Sequence, residues 1–385
     1  MCKRHVCEGK IMIKILEVFG EPISNGGQES FVFNTIQHMN LRTMRVDALT
    51  PYYCDNQIYK TIIEKEGGKI VELNLPFLPG KSRFNILKPL DKFLKKEKYD
   101  VIHVHSGSIS VLTEVALVAR LHSVRKIIVH SHCASNHKTI KYKLIKLLSI
   151  PIIEYCATDF CACSKVAGEW KFSRRIVENK LRIIKNGIDL KKFAFDVATR
   201  NQYRKRLKIS EDTFVVGHVG RFSNQKNHLF LIDIFAELIK QYNNCKLLLI
   251  GSGETQEEVK LKVKHMGLSD DVIFAGNVQN VNEYMQVMDV FVLPSLYEGL
   301  PIVGVEAQAS GLPVVVSASV SEELKLTENV CYVQLGNPTA WVTEIIKYMN
   351  MERRNNQNVL TEKEYNIETT ALLLQHMYED RIVNG

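Results

Sequence analysis

The sequence predicts an α/β protein built from two tandem, open, doubly wound parallel sheets, and three observations predict it. From residue 213 onward, short runs that are apolar throughout alternate with stretches of helical period, as buried parallel strands joined by helical crossovers require. The same alternation recurs less regularly before residue 190. At 385 residues with 45% hydrophobic content, the chain suits two cores of ordinary size better than one.

In the first half the expected strands are IMIKILEVF, MRVDALT, KIVELN, DVIHVHSG, KIIVHSHC and DFCACS, separated by helical or loop segments. In LRIIKNGIDLKKF a further strand ends in an Asn-Gly turn and charged residues follow, so a domain boundary is expected near residues 190 to 197. In the second half the strands are TFVVGHVG, CKLLLIG, VIFAG, DVFVLPS and PVVVSA. Between them NHLFLIDIFAELIKQY carries Leu229, Ile232, Phe235, Ala236 and Ile239 at helical spacing, and TQEEVKLKVKHMG ends on Gly267 as a helix should. The expected domains are 1–195 and 196–365, with a last helical segment, 366–385.

Composition narrows the class. No run reaches the roughly 18 apolar residues of a spanning helix, and the opening MCKRHVCEGK lacks the apolar core of a signal peptide, so a cytoplasmic chain is expected. Nine cysteines, an odd count scattered along the chain, read as reduced thiols. Cys156, Cys161 and Cys163 lie in an apolar strand-like run without a second ligand pair and are expected to pack in a core. The formal charge of +8 suits phosphorylated substrates, nucleic acid or an anionic membrane. Nucleic acid is disfavoured, because basic and aromatic residues are not interleaved and no zinc-finger or helix-turn-helix spacing occurs.

Ligands of open parallel sheets bind beyond the carboxyl ends of the strands. There the second half runs out into GRFSNQKN, GSGE, GNVQN and PSLYEGLP, which places Arg221, Lys226, Gly251, Gly253, Glu298 and Gly299 on one edge. Arg221 and Lys226 are expected to converge on one anion, a forked guanidinium beside a point charge, with a diphosphate the natural partner. Gly299 and Pro301 argue against a single helix through LYEGLPIVGVEAQASG. Glu298 then ends a strand-to-helix loop, and Glu306 projects from the helix that follows. The mouth of that helix adds backbone N–H groups and a positive dipole end, so no metal is required. GSGETQ has Gln256 where a dinucleotide fingerprint needs its third glycine, and no GxxxxGK[ST] loop occurs. Asp270 and Asp271 precede a strand, away from this edge, and read as turn residues.

In the first half, Gly26 and Gly27 follow the first strand and let backbone approach an anion or a domain partner before the next helix. His103, His105, His130 and His132 stand near strand ends, and alternation carries His105 and His132 furthest toward the edge. Each is a candidate for the site and equally a hydrogen-bonded core histidine.

Glu298 and Glu306 give E-x7-E within EGLPIVGVEAQASGLPVV. Together with GRFSNQKN, NGID at 186–189 and the glycine pair, this resembles the retaining glycosyltransferases of family 4 over nearly the whole chain. The resemblance implies the GT-B fold, two Rossmann-like domains facing across a cleft, with acceptor bound mainly by the first and nucleotide-sugar donor mainly by the second. It also implies that the last helix crosses back to the first domain. Carried over by position, Arg221 and Lys226 hold the donor diphosphate, Glu298 contacts the transferred sugar and Glu306 grips the ribose. His132 stands near the reacting sugar, and Gly26 and Gly27 form a glycine loop over the diphosphate. Gly251, Val278, Gly299, Leu300, Pro301 and Ile302 complete the expected donor contacts. Gly304 stands where the family often has a bulkier apolar residue, which implies weaker packing. Pro301 removes one N–H from the helix mouth.

The implied reaction moves a sugar from a nucleoside diphosphate, expected to be UDP, to a hydroxyl with retention. The departing phosphate helps to deprotonate the acceptor, and neither cofactor nor metal is expected. A saccharide or lipid-linked saccharide acceptor would belong to cell-surface glycan synthesis. Two other readings share the scaffold: a nucleotide-sugar 2-epimerase, and a non-catalytic nucleotide-sugar-binding regulator. Basic segments 137–155 and 92–98 bear on the acceptor. The first interleaves Lys138, Lys141, Lys143 and Lys146 with Ile140, Leu144, Ile145 and Leu147. That mixture fits a helix lying on an anionic membrane and equally an ordinary amphipathic helix with a solvated face.

Overall fold

Strands that are apolar on both faces must be covered on both, and the chain meets that demand twice. The structure is a computed structural model that describes residues 6–7, 10–24, 26–78, 84–132 and 139–380. In the first unit seven strands, β1 (Ile13–Phe19), β2 (Met44–Thr50), β3 (Ile70–Glu72), β4 (Val101–His105), β5 (Lys126–Ser131), β6 (Asp159–Ala162) and β7 (Leu181–Ile183), form one sheet. All neighbours are parallel, in the order β3-β2-β1-β4-β5-β6-β7. Period-two alternation splits each strand between two cores. From β1, Leu16 and Val18 join one, and Ile13, Ile15 and Phe19 the other.

The second unit repeats the design with β8 (Phe214–Val219), β9 (Cys245–Ile250), β10 (Val272–Gly276), β11 (Val290–Leu293), β12 (Val314–Ser317) and β13 (Val330–Val333). The order is β10-β9-β8-β11-β12-β13, again wholly parallel. Both orders reverse beside the first strand of the unit, the topology of dinucleotide-binding sheets. Strand β13 was not expected from the sequence, because the short run NVCYV lies among polar residues and is only partly buried.

Residues up to Gly187 form one unit together with helix Ile367–Glu379, and Ile188–Asn366 form the other. The division falls before the expected 195/196 boundary because Ile188, Leu190 and Phe193 pack into the second unit's core. The final helix contributes Leu374, Met377 and Tyr378 to a core of the first. Cys156 and Cys161 are buried thiols in the first unit's cores, as expected for packing, and burial pushes both thiols up, whereas Cys163, expected with them, is only partly buried and donates to the His132 carbonyl at 3.4 Å. Asp270 and Asp271 lie in a turn, where both meet Lys246. Among the described residues no helix is long and apolar enough to cross a membrane.

Candidate functional site

In the second unit β8 is the strand at which the order reverses, and in such sheets ligands bind beyond the carboxyl ends of the strands at that point, here past Val219 and Leu293. The loops leaving these strands are stapled together. Leu296 N–H donates to the Gln225 carbonyl at 2.8 Å, Gln225 Nε2 to the Tyr297 carbonyl at 2.9 Å, and Asn227 Nδ2 to the Pro294 carbonyl at 3.2 Å. Asn227 takes left-handed backbone (φ 57°, ψ 44°), which turns the chain from a short 3-10 segment into helix His228–Gln241. The result is a salt bridge: Lys226 Nζ donates to Glu298 Oε1 at 2.7 Å, with only 15% and 10% of the two side chains exposed. Ser295 Oγ donates to the same oxygen.

Arg221 goes elsewhere. It is 74% exposed and pairs with Glu254 at 3.1 Å, so the structure holds the two cations on separate acids instead of converging them. Arg221 follows Gly220 on the solvent side of the loop, within reach of the segment after β9. Gly251 serves a close backbone approach: its φ is +132°, and a Cβ there would stand 2.1 Å from the Gly220 carbonyl oxygen. Among the described residues nothing lies within 4 Å of a Cβ at Gly299.

Pro301 stands at the N-cap of helix Ile302–Ala309 and no side chain caps that end. Gly304 N–H donates to the Pro301 carbonyl at 3.0 Å, among the described residues the N–H groups of Ile302 and Val303 meet no acceptor, and the N–H that proline lacks is not one the helix needs. Gly304 does not loosen the packing as expected. Leu324, fully buried, fills the place, and a Cβ at Gly304 would stand 2.8 Å from its Cδ1. Leu300, Ile302 and Val278 are partly buried and pack against the same core. Glu306 projects from this helix half-buried, and among the described residues no hydrogen bond reaches its carboxyl. Burial pushes it up to about 7, opposed by the charge of Lys192.

Behind Lys226 lies a pair that sequence reasoning passed over. His218 and His228 are buried with rings 4.6 Å apart, and Phe222 stacks on His228 at 4.0 Å. His218 Nδ1 meets the Val292 carbonyl at 2.8 Å, and burial holds both imidazoles below their ordinary range, His228 at about 4.

In the first unit, register places Glu17 opposite His103 and His105 opposite His130. Alternation then puts Glu17, His103, His105, His130 and His132 on one face of the sheet. Their contacts are continuous. Glu17 Oε2 lies 2.7 Å from His105 Nε2, and His105 Nδ1 lies 2.7 Å from His132 Nε2. His103 bridges His130 Nδ1 (3.1 Å) and the Tyr378 hydroxyl (2.7 Å), which in turn donates to Glu17 Oε1 at 2.7 Å. Burial pushes the Glu17 carboxyl up to about 8, against the Tyr378 hydrogen bond, and holds all four imidazoles low, His132 at about 3. Phe31 from helix Gly27–Gln37 packs against His130 and His132. His105 and His132 were expected at this edge. Glu17 and Tyr378 were not, and the only signal was an acid within an apolar strand run.

Gly26 is the N-cap of that helix without a side-chain cap, and among the described residues nothing lies within 4 Å of a Cβ at Gly27. A Cβ at Gly26 would stand 2.1 Å from Glu29 Oε2, so the acid of the first turn already lies over this helix end. Burial, with the neighbouring Glu21 charge, pushes Glu29 up to about 7 against its own backbone hydrogen bond.

The ligand atoms of His103, His105 and His130 lie within 4.8 Å of one another, close enough to share a metal ion. Yet every ring nitrogen of the three except His130 Nε2 is engaged in a hydrogen bond. An ion would have to break these bonds, so the array is a hydrogen-bonded one.

Two family models match this chain: Glycosyltransferase Family 4 over residues 25–192, and Glycosyl transferases group 1 over residues 199–366. EpsF of Bacillus subtilis (strain 168) is 33% identical over 306 residues, 78% of each chain. An Escherichia coli protein named UDP-Gal:alpha-D-GlcNAc-diphosphoundecaprenol alpha-1,3-galactosyltransferase is 29% identical over 310 residues, 77% of this chain and 79% of that one. The crystal structure of Anabaena HepE with UDP and glucose superposes with a TM-score of 0.69 at 21% identity, over 96% of this chain and 95% of HepE. That likeness shows the fold, GT-B.

Proposed function

Since this chain belongs to the glycosyltransferases, group 1 and family 4, we propose that it transfers a sugar with retention from a nucleoside-diphosphate sugar, UDP-linked, to a hydroxyl of a saccharide or lipid-linked saccharide during surface-polysaccharide synthesis. The observation that carries the reading is the Lys226–Glu298 pair at the reversal point of the second sheet, beside an uncapped helix mouth. The E. coli relative's donor and lipid-linked acceptor, and the UDP and glucose held by HepE, support the substrate classes.

Charge building on the leaving diphosphate is the main barrier to such a transfer. Lys226, the first amides of helix Ile302–Ala309 and, after release from Glu254, Arg221 meet that charge in a site already oriented for it. The reading therefore needs no metal. Glu298 keeps Lys226 in place and offers oxygens to the sugar's hydroxyls. Glu306 accepts from the vicinal hydroxyls of the ribose, which stabilises its ionised form against burial. No carboxylate is assigned as a nucleophile beneath the anomeric carbon, so attack comes from the face the diphosphate leaves.

The acceptor side carries a membrane reading. Helix Ile140–Cys156 exposes Ile140, Leu144, Leu147, Leu148, Ile152 and Tyr155 along one stripe, flanked by exposed Lys141 and Lys143. Large apolar side chains left in solvent beside lysines suit the surface of an anionic bilayer and a lipid-linked acceptor. His137 and Lys138 of this segment lie outside the described residues. Segment 92–98 lacks such a stripe, for its Leu94 is buried and its exposed residues are lysines.

Thermal unfolding with a panel of nucleoside diphosphates tests the donor reading. UDP raises Tm in the wild type, with or without EDTA, and the rise is lost in Lys226→Ala and Glu306→Ala. Equal protection in all three chains, or none by any nucleotide, would refute it.

A further inference from the structure

The second unit carries a groove on the edge that the donor reading does not use. Phe214 opens β8, Cys245 opens β9 and Asp289 precedes β11, so the amino ends of three adjacent strands line it. Val219, at the carboxyl end of β8, lies roughly 16 Å away along six residues of strand. The cavity measures about 620 Å³, a volume in the range of small-ligand sites.

Its floor is fixed. Arg200 donates to the Gln286, Val287 and Met288 carbonyls at 2.9, 3.1 and 3.0 Å and pairs with Asp289 at 2.6 Å, while Asp289 also accepts the Val215 N–H at 2.7 Å. Thr213, itself buried, donates to Asn244 Oδ1 at 2.9 Å, and Asn244 Nδ2 donates to Asp212 at 2.9 Å. Asn350 takes left-handed backbone (φ 66°) in the turn by which Tyr348 to Glu352 make one wall.

The rim is uncommitted. Among the described residues no hydrogen bond engages the side-chain amides of Gln241, Asn243 and Asn350 or the hydroxyls of Tyr242 and Tyr348. Such a set above a rigid floor has a definite chemistry. A primary amide both donates and accepts, as a sugar hydroxyl does, and the tyrosine faces offer apolar surface to the C–H side of a sugar ring. Anions are disfavoured, because Arg200 is already paired and Glu211, Asp212 and Glu352 leave the lining negative. A wholly apolar ligand would desolvate the amides without bonding them.

We propose that this groove is a second saccharide site, which holds a neutral glycan away from the transfer edge. That the glycan is the one being built rests on the sugar-transfer reading. A chain held there stays at raised local concentration around the unit that carries the donor residues. The groove binds only, and no bond is made or broken in it.

The test is calorimetric titration of the full chain with neutral tetrasaccharides of glucose, galactose, mannose or N-acetylglucosamine, beside a hyaluronan tetrasaccharide and spermidine. At least one neutral tetrasaccharide should bind, and the hyaluronan fragment, which carries carboxylates, should not. Binding should be lost or reduced in Tyr242→Ala with Asn243→Ala, both exposed side chains, and in Asn350→Gly, which removes the amide and keeps the left-handed turn. UDP should raise Tm equally in the wild type and both variants. No heat with any neutral tetrasaccharide, an isotherm that both variants leave unchanged, equal binding of the hyaluronan fragment, or binding of spermidine alone would overturn the site. Those results leave sugar transfer standing, because UDP protection reads the donor edge separately. Loss of that protection in the wild type would overturn the transfer reading with the saccharide isotherm intact.

Discussion

Lys226 Nζ and Glu298 Oε1 lie 2.7 Å apart, although 72 residues separate them in the chain. Removing the lysine takes away a cation aimed at the leaving group and strands a mostly buried carboxylate. Lys226→Ala should lower kcat by about 10²- to 10³-fold. It should destabilise the fold by only about 1–3 kcal/mol, since Ser295 still donates to Glu298. Steady-state kinetics beside a denaturant titration check both, and near-wild-type turnover would remove Lys226 from the mechanism.

Gly251 and Gly299 stand on the same edge with opposite constraints. Gly251→Ala puts a methyl against the Gly220 carbonyl at a backbone angle that side chains rarely adopt, and should cost about 1–3 kcal/mol. Gly299→Ala meets no atom of the described residues within 4 Å and should change stability by less than about 0.5 kcal/mol. Any loss of UDP affinity in Gly299→Ala therefore reports on ligand contact. Calorimetry and UDP titration of the two variants separate the cases.

Stability should peak close to neutrality. Burial raises Glu17 to about 8 and Glu29 and Glu306 to about 7, so the folded state binds their protons more tightly than the unfolded chain. Their contribution is complete below the ordinary carboxylate range and is lost as pH rises through 7 to 8. The buried histidines have the opposite sign. Their folded values are depressed, so their contribution is present above about pH 6.5 and is lost as pH falls toward 4 and 3. A Tm maximum between about pH 6.5 and 7 is expected; a Tm still climbing at pH 9 would contradict it.

The exposed stripe of helix Ile140–Cys156 should bind anionic vesicles, more weakly as salt rises. Leu144→Glu with Leu148→Glu should abolish co-sedimentation without lowering Tm, because both side chains are already in solvent. Lys92→Glu with Lys96→Glu should change little. Equal sedimentation of all three chains would remove the stripe from the membrane reading.

Sequence alone determined the alternation of buried strands and helices, the edge to which Lys226, Glu298 and Gly299 belong, and the E-x7-E spacing over a proline-started helix. These are local properties: residue period, turn chemistry and the rule that parallel strands deliver their loops to one end. Which charges meet was decided only by the tertiary structure. The loops after β8 and β11 come together because the strand order places those strands side by side, and that pairs Lys226 with Glu298 while Arg221 finds Glu254. The histidine line needs one strand register, a second, and a helix from the far end of the chain. No spacing in the sequence records that Tyr378 lies against Glu17, since long-range contacts are set by packing, and packing leaves no period to read.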